Sequence, residues 1–389
     1  MKYRWLLVSL MVLFLFSCQK RQTPVIRHIQ IYASHDEYCA WPAVARAGNG
    51  DILVAFSLNE EHLGPDGKIM LVRSVDNGKS WSKPEILLDT PLDDRDAGLT
   101  VGENGVVLAT FWSTFWSCDK YRNLPPKSYP DEMIEKWCRF VNRPEYLAAE
   151  NLEGQSGLLS GDNGKSWSER LPGKDTVKGG IQLADGSFLI GSYRLERDFV
   201  GIYRTDDPRK EWKKIAEVKS ENPDSIRLGE PHILQLPSGR IIMMMRATPK
   251  PYANDSDVSH LYFSYSDDEG YTWAKPQKTE LWGYPPHLLL LSDGRVVCSY
   301  GYRREPFGQR VCVSGDGMTW KKENEIVLRA DACNVDLGYP ASVELEPGIV
   351  LTVYYQPDPD DCPQEMHPPD PHRSRPDILG TIWKVPHKK

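Results

Sequence analysis

A pattern of eight residues, Ser-x-Asp-x-Gly-x-x-Trp, recurs along the chain and constrains its fold more than any other feature. It reads SVDNGKSW at Ser74–Trp81, SGDNGKSW at Ser160–Trp167 and SDDEGYTW at Ser266–Trp273. TDDPRKEW at 205–212 has lost the glycine, and SGDGMTW at 314–320 is one residue short. In this octapeptide turn the aspartate can bond backbone N–H groups, the glycine allows a positive φ and the tryptophan can pack on a neighbouring strand. Copies that each follow a β-rich run indicate an internal repeat.

A glycine followed by an apolar strand marks the repeat more regularly. These repeat glycines are Gly50, Gly105, Gly186, Gly239, Gly294 and Gly348, at intervals of 55, 81, 53, 55 and 54 residues. Units of this length hold four strands each, so we predict an all-β fold, a six-bladed β-propeller. The one long interval predicts an insertion at residues 119–140, in the second blade. The octapeptide turns would then join late strands at the blade edges, and their acidic residues would be architectural.

The ends of the chain indicate how such a ring closes. After Gly348 there is one further good strand, Asp377–Val385, so the last blade lacks a strand. The stretch that begins at Ile26 can supply it and remove an exposed edge. We therefore predict a single propeller domain over residues 26–389, preceded by a short linker at residues 19–25.

The first eighteen residues have the pattern of an export signal. Lys2 and Arg4 precede an apolar run, Trp5–Phe16, that is too short for a permanent membrane span. The run ends in Ser17-Cys18, which resembles the lipobox of bacterial lipoproteins. Residues 1–18 are thus predicted to be a lipoprotein signal peptide with Cys18 lipidated, the alternative being an ordinary signal peptide. The mature chain is expected at the cell envelope, periplasmic or on the cell surface, and at the membrane only through a lipid anchor.

Composition and cysteines narrow the function classes. The formal net charge of -7 argues against nucleic-acid binding, and no CxxC or HExxH motif supports a metal site. No cofactor is expected. Cys118 and Cys138 flank the insertion and are candidates for a disulfide, whereas Cys298 and Cys312 are candidates for buried thiols. The insertion, rich in aromatic residues and proline, is either a lid on which a sugar ring stacks or a disulfide-tied loop packed on the blade.

The residues nine positions before the repeat glycines would lie on the innermost strands, around the central axis. In chain order this axial column is Trp41, Asp96, Val177, Glu230, Pro285 and Tyr339. Equivalent positions of a repeat usually carry similar apolar residues, so the acidic residues and the tyrosine indicate a functional site at one rim. Capping of strand starts is the alternative. His232 and His287, seven positions before their glycines, either line the same rim or are structural hydrogen-bonding groups.

The octapeptide turn is the Asp-box, and with six blades the chain resembles the sialidase (neuraminidase) superfamily over almost all of the mature sequence. The resemblance implies a nucleophilic tyrosine, matched by Tyr339 in Gly338-Tyr339-Pro340. It also implies a glutamate ahead of a substrate-gripping arginine, matched by Glu230 and Arg246. The third arginine of the family's triad is expected at Arg303, Arg304 or Arg310.

The chemistry of these residue types agrees with the implied roles. A tyrosine hydroxyl has a pKa near 10 and needs a neighbouring base such as Glu230 to attack an anomeric carbon at neutral pH. A tyrosine–glutamate pair also avoids presenting a bare carboxylate to an anionic substrate. Arginines offer planar, charge-assisted hydrogen bonds to a substrate carboxylate.

The chain also departs from the family pattern. Ala40 stands where the first triad arginine is expected, which removes one charge-assisted contact to a substrate. The acid/base aspartate is expected after the second strand of blade one, where Glu61, His62 and Asp66 are the candidates for this role. Asp96 is a further candidate acid. Neighbouring candidates for substrate binding are Arg95 and Trp41.

These features predict an exo-acting, retaining glycoside hydrolase, exo-α-sialidase-like, that cleaves a terminal anionic or otherwise unusual sugar. Its partner would be a glycan or oligosaccharide substrate, and the protein is expected to be a monomer. Because of Ala40, an arabinanase-like or rhamnosidase-like propeller glycosidase remains an alternative. A non-catalytic propeller that binds glycans is the alternative from another class.

Overall fold

The computed structural model describes residues 24–34, 36–125, 128–174, 176–193, 199–253, 256–357 and 375–387. The predicted signal peptide, with Cys18, and most of the predicted linker lie outside these ranges. Within them, no helix has the length and apolar character that crossing a membrane requires.

The described residues form six antiparallel sheets of four strands, arranged as the blades of a propeller. Blade one comprises β2 (Tyr38–Arg46), β3 (Ile52–Asn59), β4 (Lys68–Ser74) and β5 (Glu85–Leu88). Blade two comprises β6 (Asp93–Val101), β7 (Val107–Thr114), β8 (Gly154–Ser160) and β9 (Leu171–Pro172). Blade three comprises β10 (Ile181–Gln182), β11 (Phe188–Ser192), β12 (Phe199–Thr205) and β13 (Lys213–Lys219). The predicted all-β, six-bladed fold is confirmed.

The remaining blades have the same order of strands. Blade four comprises β14 (Ile226–Gln235), β15 (Ile241–Pro249), β16 (His260–Ser266) and β17 (Gln277–Trp282). Blade five comprises β18 (Pro286–Leu290), β19 (Val296–Tyr302), β20 (Gly308–Ser314) and β21 (Glu325–Arg329). Blade six comprises β22 (Gly338–Glu346), β23 (Ile349–Pro357), β24 (Pro376–Lys384) and the N-terminal β1 (Val25–Tyr32).

The ring closes through the pairing of β1 with β24, so that the two ends of the described chain share one sheet. His28 stands opposite Thr381, and their side chains are 2.9 Å apart between Nδ1 and Oγ1. The prediction that the stretch from Ile26 supplies the missing strand is confirmed.

The repeat glycines occupy the turn between the first and second strand of every blade. Their φ angles lie between 75° and 91°, a left-handed backbone that only glycine adopts without strain. At Gly186 a Cβ atom would meet nothing within 4 Å, so the backbone conformation rather than crowding requires glycine there.

The octapeptide turns join the third strand of a blade to the fourth, as predicted. In the first copy, Oδ1 of Asp76 accepts the backbone N–H groups of Lys79 and Ser80 at 3.1 and 2.9 Å. Hydrogen bonds from Ser80 and Ser74 hold the pKa of Asp76 well below its ordinary value. The carboxylate therefore stabilises its own turn, which agrees with an architectural role.

The insertion leaves blade two between β7 and β8 and contains α1 (Cys118–Arg122), α2 (Asp131–Val141) and α3 (Pro144–Leu147). A disulfide joins Cys118 to Cys138, as predicted. The aromatic side chains of these helices are buried in a cluster of their own that includes Trp137. Nε1 of Trp137 donates to Glu60 in the loop after β3, so the helices pack against blade one. This corresponds to the packed, disulfide-tied loop rather than to an aromatic platform.

Candidate active site

A backbone irregularity marks the first strand of four blades at the axial column. Trp41, Asp96, Glu230 and Tyr339 have φ angles of 52°, 61°, 43° and 47°. The register of each strand with its neighbour shifts at the same place, as in a β-bulge. A left-handed backbone is costly for residues with bulky side chains and persists where the surroundings over-determine it, commonly at functional sites. The sequence showed the unusual residue types but not the bulges.

The bulges bring distant residues of the column together. Trp41, Val177 and Tyr339 belong to one buried cluster. The Tyr339 hydroxyl donates to Oε1 of Glu230 at 2.5 Å, across 109 residues of sequence. Strands of blades one, four and six therefore meet at this point with the segment that leads into blade three. The prediction that the whole column lies on the innermost strands is wrong for Val177 and Pro285, which precede β10 and β18, because the ladders of those two short strands begin later in the chain.

Glu230 is held between the tyrosine and an arginine. Nη1 of Arg246, on the paired strand β15, lies 3.2 and 2.9 Å from the two carboxylate oxygens. Burial alone would raise the pKa of Glu230, but the charge of Arg246 and the hydrogen bond from Tyr339 lower it below its ordinary value. Burial and the Glu230 charge raise the pKa of Tyr339 well above 10. The shared proton therefore resides on the phenol, and the carboxylate is an ionised base.

Two arginines stand over one aromatic ring beside this pair. The guanidinium carbons of Arg246 and Arg303 lie 4.0 and 5.0 Å from the ring centroid of Tyr284. Nη2 of Arg303 also lies 3.4 Å from the hydroxyl of Tyr355. The Nε atoms of both arginines are buried and have no hydrogen-bond partner among the described residues. Two adjacent cations suit an anionic ligand.

The structure separates the three candidates for the third arginine. Arg310 donates to the backbone carbonyls of Arg329 at 2.5 Å and Pro306 at 3.2 Å, away from this ring. Arg304 stacks on Trp282 at 4.0 Å. Of the three, the structure brings Arg303 to Arg246. Spacing could not distinguish them because they lie within eight positions.

The candidate acids lie in three different environments. Asp96 is buried, and its charge contributes to the raised pKa of Tyr339 after burial and Glu230. Glu61 is buried and forms an ion pair with Arg375 at 3.3 Å. Asp66 is exposed to solvent.

Arg95 and Trp41 contact each other beside Asp96. The Arg95 guanidinium stands 4.8 Å from the ring centroid of Trp41 and is paired with Asp93 at 2.6 Å. Arg95 is buried, and its charge is paired with that of Asp93 within the protein.

A second polar network surrounds Ala40, where the family's first arginine is expected. The Tyr38 hydroxyl lies 2.8 Å from both carboxylate oxygens of Asp336 and 2.6 Å from Nδ1 of His62. Tyr355 donates to the same carboxylate at 3.1 Å. The sequence analysis did not find Tyr38 or Asp336, because neither lies in the axial column. Tyr38 lies two residues before Ala40, and Asp336 lies three residues before Tyr339. This nearness in sequence to two candidate positions is the signal that could have indicated them.

Lys178, which follows Val177 of the column, was also missed. Its ammonium is buried and donates to the backbone carbonyls of Pro42, at 3.0 Å, and Tyr339. Burial lowers the pKa of Lys178 well below its ordinary value, against the opposing charges of Glu230 and Asp96. One side chain of blade three thus holds the backbone of blades one and six.

His232 and His287 stack on each other, with ring centroids 4.3 Å apart, and both are buried. Nδ1 of His232 accepts the N–H of Leu288, and Nδ1 of His287 accepts that of Ser342. Each therefore bonds the next blade, as the structural alternative expects. Within the described residues, no group of His, Cys, Asp or Glu side chains is arranged to hold a metal ion.

A six-bladed propeller with a tyrosine–glutamate pair and two arginines at its axis defines a protein with the sialidase fold. The sequence matches the model of the BNR repeat-like domain over residues 140–351, more than half of the chain. The protein belongs to this family. No curated protein matches the sequence significantly.

Solved structures confirm the sialidase-like propeller. A protein of unknown function from Dyadobacter fermentans DSM 18053 has a TM-score of 0.70 at 24% identity, over 93% of this chain and 99% of its own. NanB sialidase from Streptococcus pneumoniae has a TM-score of 0.63 at 13% identity, over 93% and 71%. The intramolecular trans-sialidase from Ruminococcus gnavus has a TM-score of 0.57 at 13% identity, over 94% and 98%. At these identities the likeness concerns the fold.

Proposed function

We propose that the protein is an exo-acting, retaining glycoside hydrolase of the sialidase superfamily that releases a terminal sugar from a glycan. The family and the fold support a glycosidase-like protein. The observation that carries the finer proposal is the 2.5 Å hydrogen bond from Tyr339 to Glu230, with Arg246 holding the carboxylate ionised. This is the arrangement of a nucleophile with its base.

In the first step Glu230 removes the phenol proton as the Tyr339 oxygen attacks the anomeric carbon. The glycosidic C–O bond breaks, and the leaving oxygen takes a proton from an acid. In the second step water attacks the same carbon and gives a proton to that acid. The Tyr339 oxygen leaves and recovers its proton from Glu230. Two inversions give net retention of configuration.

The two arginines support an anionic terminal sugar. Arg303 and Arg246 stand side by side over Tyr284, where their two positive charges suit a substrate carboxylate. Ala40 stands where the family's first arginine is expected, so two arginines rather than three would bind the substrate. This fits an unusual anionic sugar better than the substrate of a sialidase with all three arginines.

Replacing the nucleophile tests the proposal. A panel of 4-methylumbelliferyl glycosides, sialosides and defined oligosaccharides would be screened for sugar release. Tyr339→Phe should abolish turnover, and Glu230→Gln should reduce kcat by about 10² to 10⁴-fold because it removes a positioned base. Tyr265→Phe, a partly buried tyrosine of β16, is the matched control and should remain fully active. Unchanged turnover in Tyr339→Phe would refute the mechanism.

A glycan-binding propeller without catalysis is favoured by one observation, the loss of the first arginine at Ala40. Tight binding on a glycan array, with no sugar released from any bound glycan, would establish that function instead.

A further inference from the structure

His62 lies in the loop between β3 and β4, at the rim occupied by Trp41. The two rings meet edge to face, with centroids 5.2 Å apart. About a quarter of the side chain is exposed (26%), whereas Asp336, which lies 3.6 Å from its Nδ1, is almost fully buried. The imidazole therefore borders solvent on one side and a buried carboxylate on the other.

The hydrogen-bond donors and acceptors around His62 determine which of its two ring nitrogens bonds to Tyr38. Burial alone would raise the pKa of Asp336, but His62, the Tyr38 hydrogen bond and Arg303 hold it below its ordinary value. An ionised carboxylate only accepts, so the single hydrogen of the Tyr38 hydroxyl points to Asp336. The Tyr38 oxygen must then accept the hydrogen on Nδ1 of His62 at 2.6 Å. Nδ1 is thereby engaged in this hydrogen bond, and Nε2 is the second ring nitrogen, outside it.

Among the described residues, the charged groups that contact His62 or lie next to it in the chain include Asp336, Arg95 and Glu61. Nη2 of Arg95 donates to the backbone carbonyl of His62 at 3.3 Å, while its charge is paired with Asp93. Glu61 is paired with Arg375. Asp336 is thus the carboxylate that directly faces the ring.

Two aromatic rings in contact, Trp41 and Tyr355, lie between His62 and Tyr339. Trp41 contacts His62 and Tyr355, with ring centroids 5.2 and 6.4 Å away, and Tyr355 contacts Tyr339 at 6.0 Å. An acid/base residue must stand across the scissile bond from the nucleophile.

We propose that His62, oriented by Tyr38 and Asp336, is the acid/base residue of the hydrolase, in place of an aspartate. This inference rests on the proposed function. The imidazolium gives its Nε2 proton to the leaving oxygen as the glycosidic bond breaks. The neutral imidazole then takes a proton from the water that attacks the Tyr339-linked sugar. The cycle consumes one water and restores every group.

The test varies the leaving group on the sugar that the screen identifies. His62→Gln should lower kcat/KM for an alkyl or oligosaccharide aglycone by at least about 100-fold, because that oxygen needs a proton. It should lower kcat/KM for the 2,4-dinitrophenyl glycoside less than tenfold, because dinitrophenolate leaves without one. Sodium azide should restore turnover of that substrate and yield the glycosyl azide of retained configuration.

Controls separate this inference from the proposed function. His260→Gln, a partly buried histidine of β16, should leave the dependence on leaving group unchanged. Circular dichroism and thermal melts would confirm that His62→Gln is folded. Equal losses for both leaving groups, or the azide-rescued pattern in Asp96→Asn, Glu61→Gln or Asp66→Asn, would overturn the assignment of His62. Unchanged turnover in Tyr339→Phe would instead overturn the proposed mechanism with Tyr339 as nucleophile, and no sugar release by the wild type from any substrate would overturn the proposed hydrolase.

Discussion

One proton lies between Tyr339 and Glu230, and their surroundings push the two pKa values apart. Burial and the neighbouring carboxylates raise the pKa of the phenol, while Arg246 outweighs the burial of Glu230 and lowers that of the carboxyl group. A base that stays ionised can take the phenol proton only as the new C–O bond forms. In the free protein the proton therefore stays on Tyr339, and it moves to Glu230 as the tyrosine attacks a bound sugar.

Removing Arg246 should shift the acid limb of the pH profile of kcat/KM. In Arg246→Met the largest interaction that opposes the burial of Glu230 is lost, so the pKa of Glu230 rises. The base must be deprotonated, so the wild type should stay active below the ordinary glutamate value of 4.5. The variant should lose activity at a higher pH. The profile of kcat/KM against pH measures the shift. Arg240→Met, which breaks an exposed ion pair with Asp267, is the control and should not move the limb.

In four blades the first strand combines a fixed turn with a bulge. The repeat glycine sets the turn into the second strand, and in four blades the residue nine positions earlier has a left-handed backbone. The turn is a local requirement, so the sequence revealed it. The bulge is sustained by contacts with other blades, such as that between Lys178 and the Tyr339 carbonyl, and it has no local signature.

The turn glycines can be tested without disturbing packing. Gly186→Ala adds a methyl group in open space at a φ of +87° and should cost about 1–2 kcal/mol of unfolding free energy. Gly161→Ala also adds a methyl group in open space, but at a backbone angle outside the left-handed range. It should change stability by less than about 0.5 kcal/mol. Urea unfolding measures both, and equal effects would contradict the argument.

The whole ring is held by contacts between blades as well as by the closure through β1 and β24. His232 and His287 each accept a backbone N–H of the next blade. Arg73 of blade one donates to the carbonyl of Gly164, in the octapeptide turn of blade two, at 2.6 Å. A repeat whose units are joined in this way is expected to unfold cooperatively.

Acid should weaken the ring through its buried histidines. Burial, with the charge of Lys178, lowers the pKa of His232 from 6.5 to about 3. Between these values the unfolded chain binds a proton that the folded chain does not. Stability should therefore fall as pH drops from about 6.5 towards 3, by a few kcal/mol at most. In His232→Gln the amide oxygen can still accept the Leu288 N–H but does not titrate. Urea midpoints at pH 7 and pH 4.5 should differ less in this variant, and an unchanged difference would refute the assignment.

Much of the fold was predictable because its markers act locally. A glycine with positive φ, an aspartate that bonds its own turn and a missing last strand each depend on a few neighbouring residues. They led to six blades, the closing strand and the architectural octapeptide turns. Tyr339, Glu230 and Arg246 were also predicted, since they lie in the column or match the family motif.

Sequence alone thus determined the number of blades and their order, because a repeat carries its period in the chain. Only the tertiary structure decided which residues touch. It joined Tyr339 to Glu230 across 109 positions, selected Arg303 over Arg310 and placed Asp336 beside His62. The reason is physical: hydrogen bonds and charge pairs depend on distances of a few ångströms between different blades, and those distances are set by how the whole ring closes.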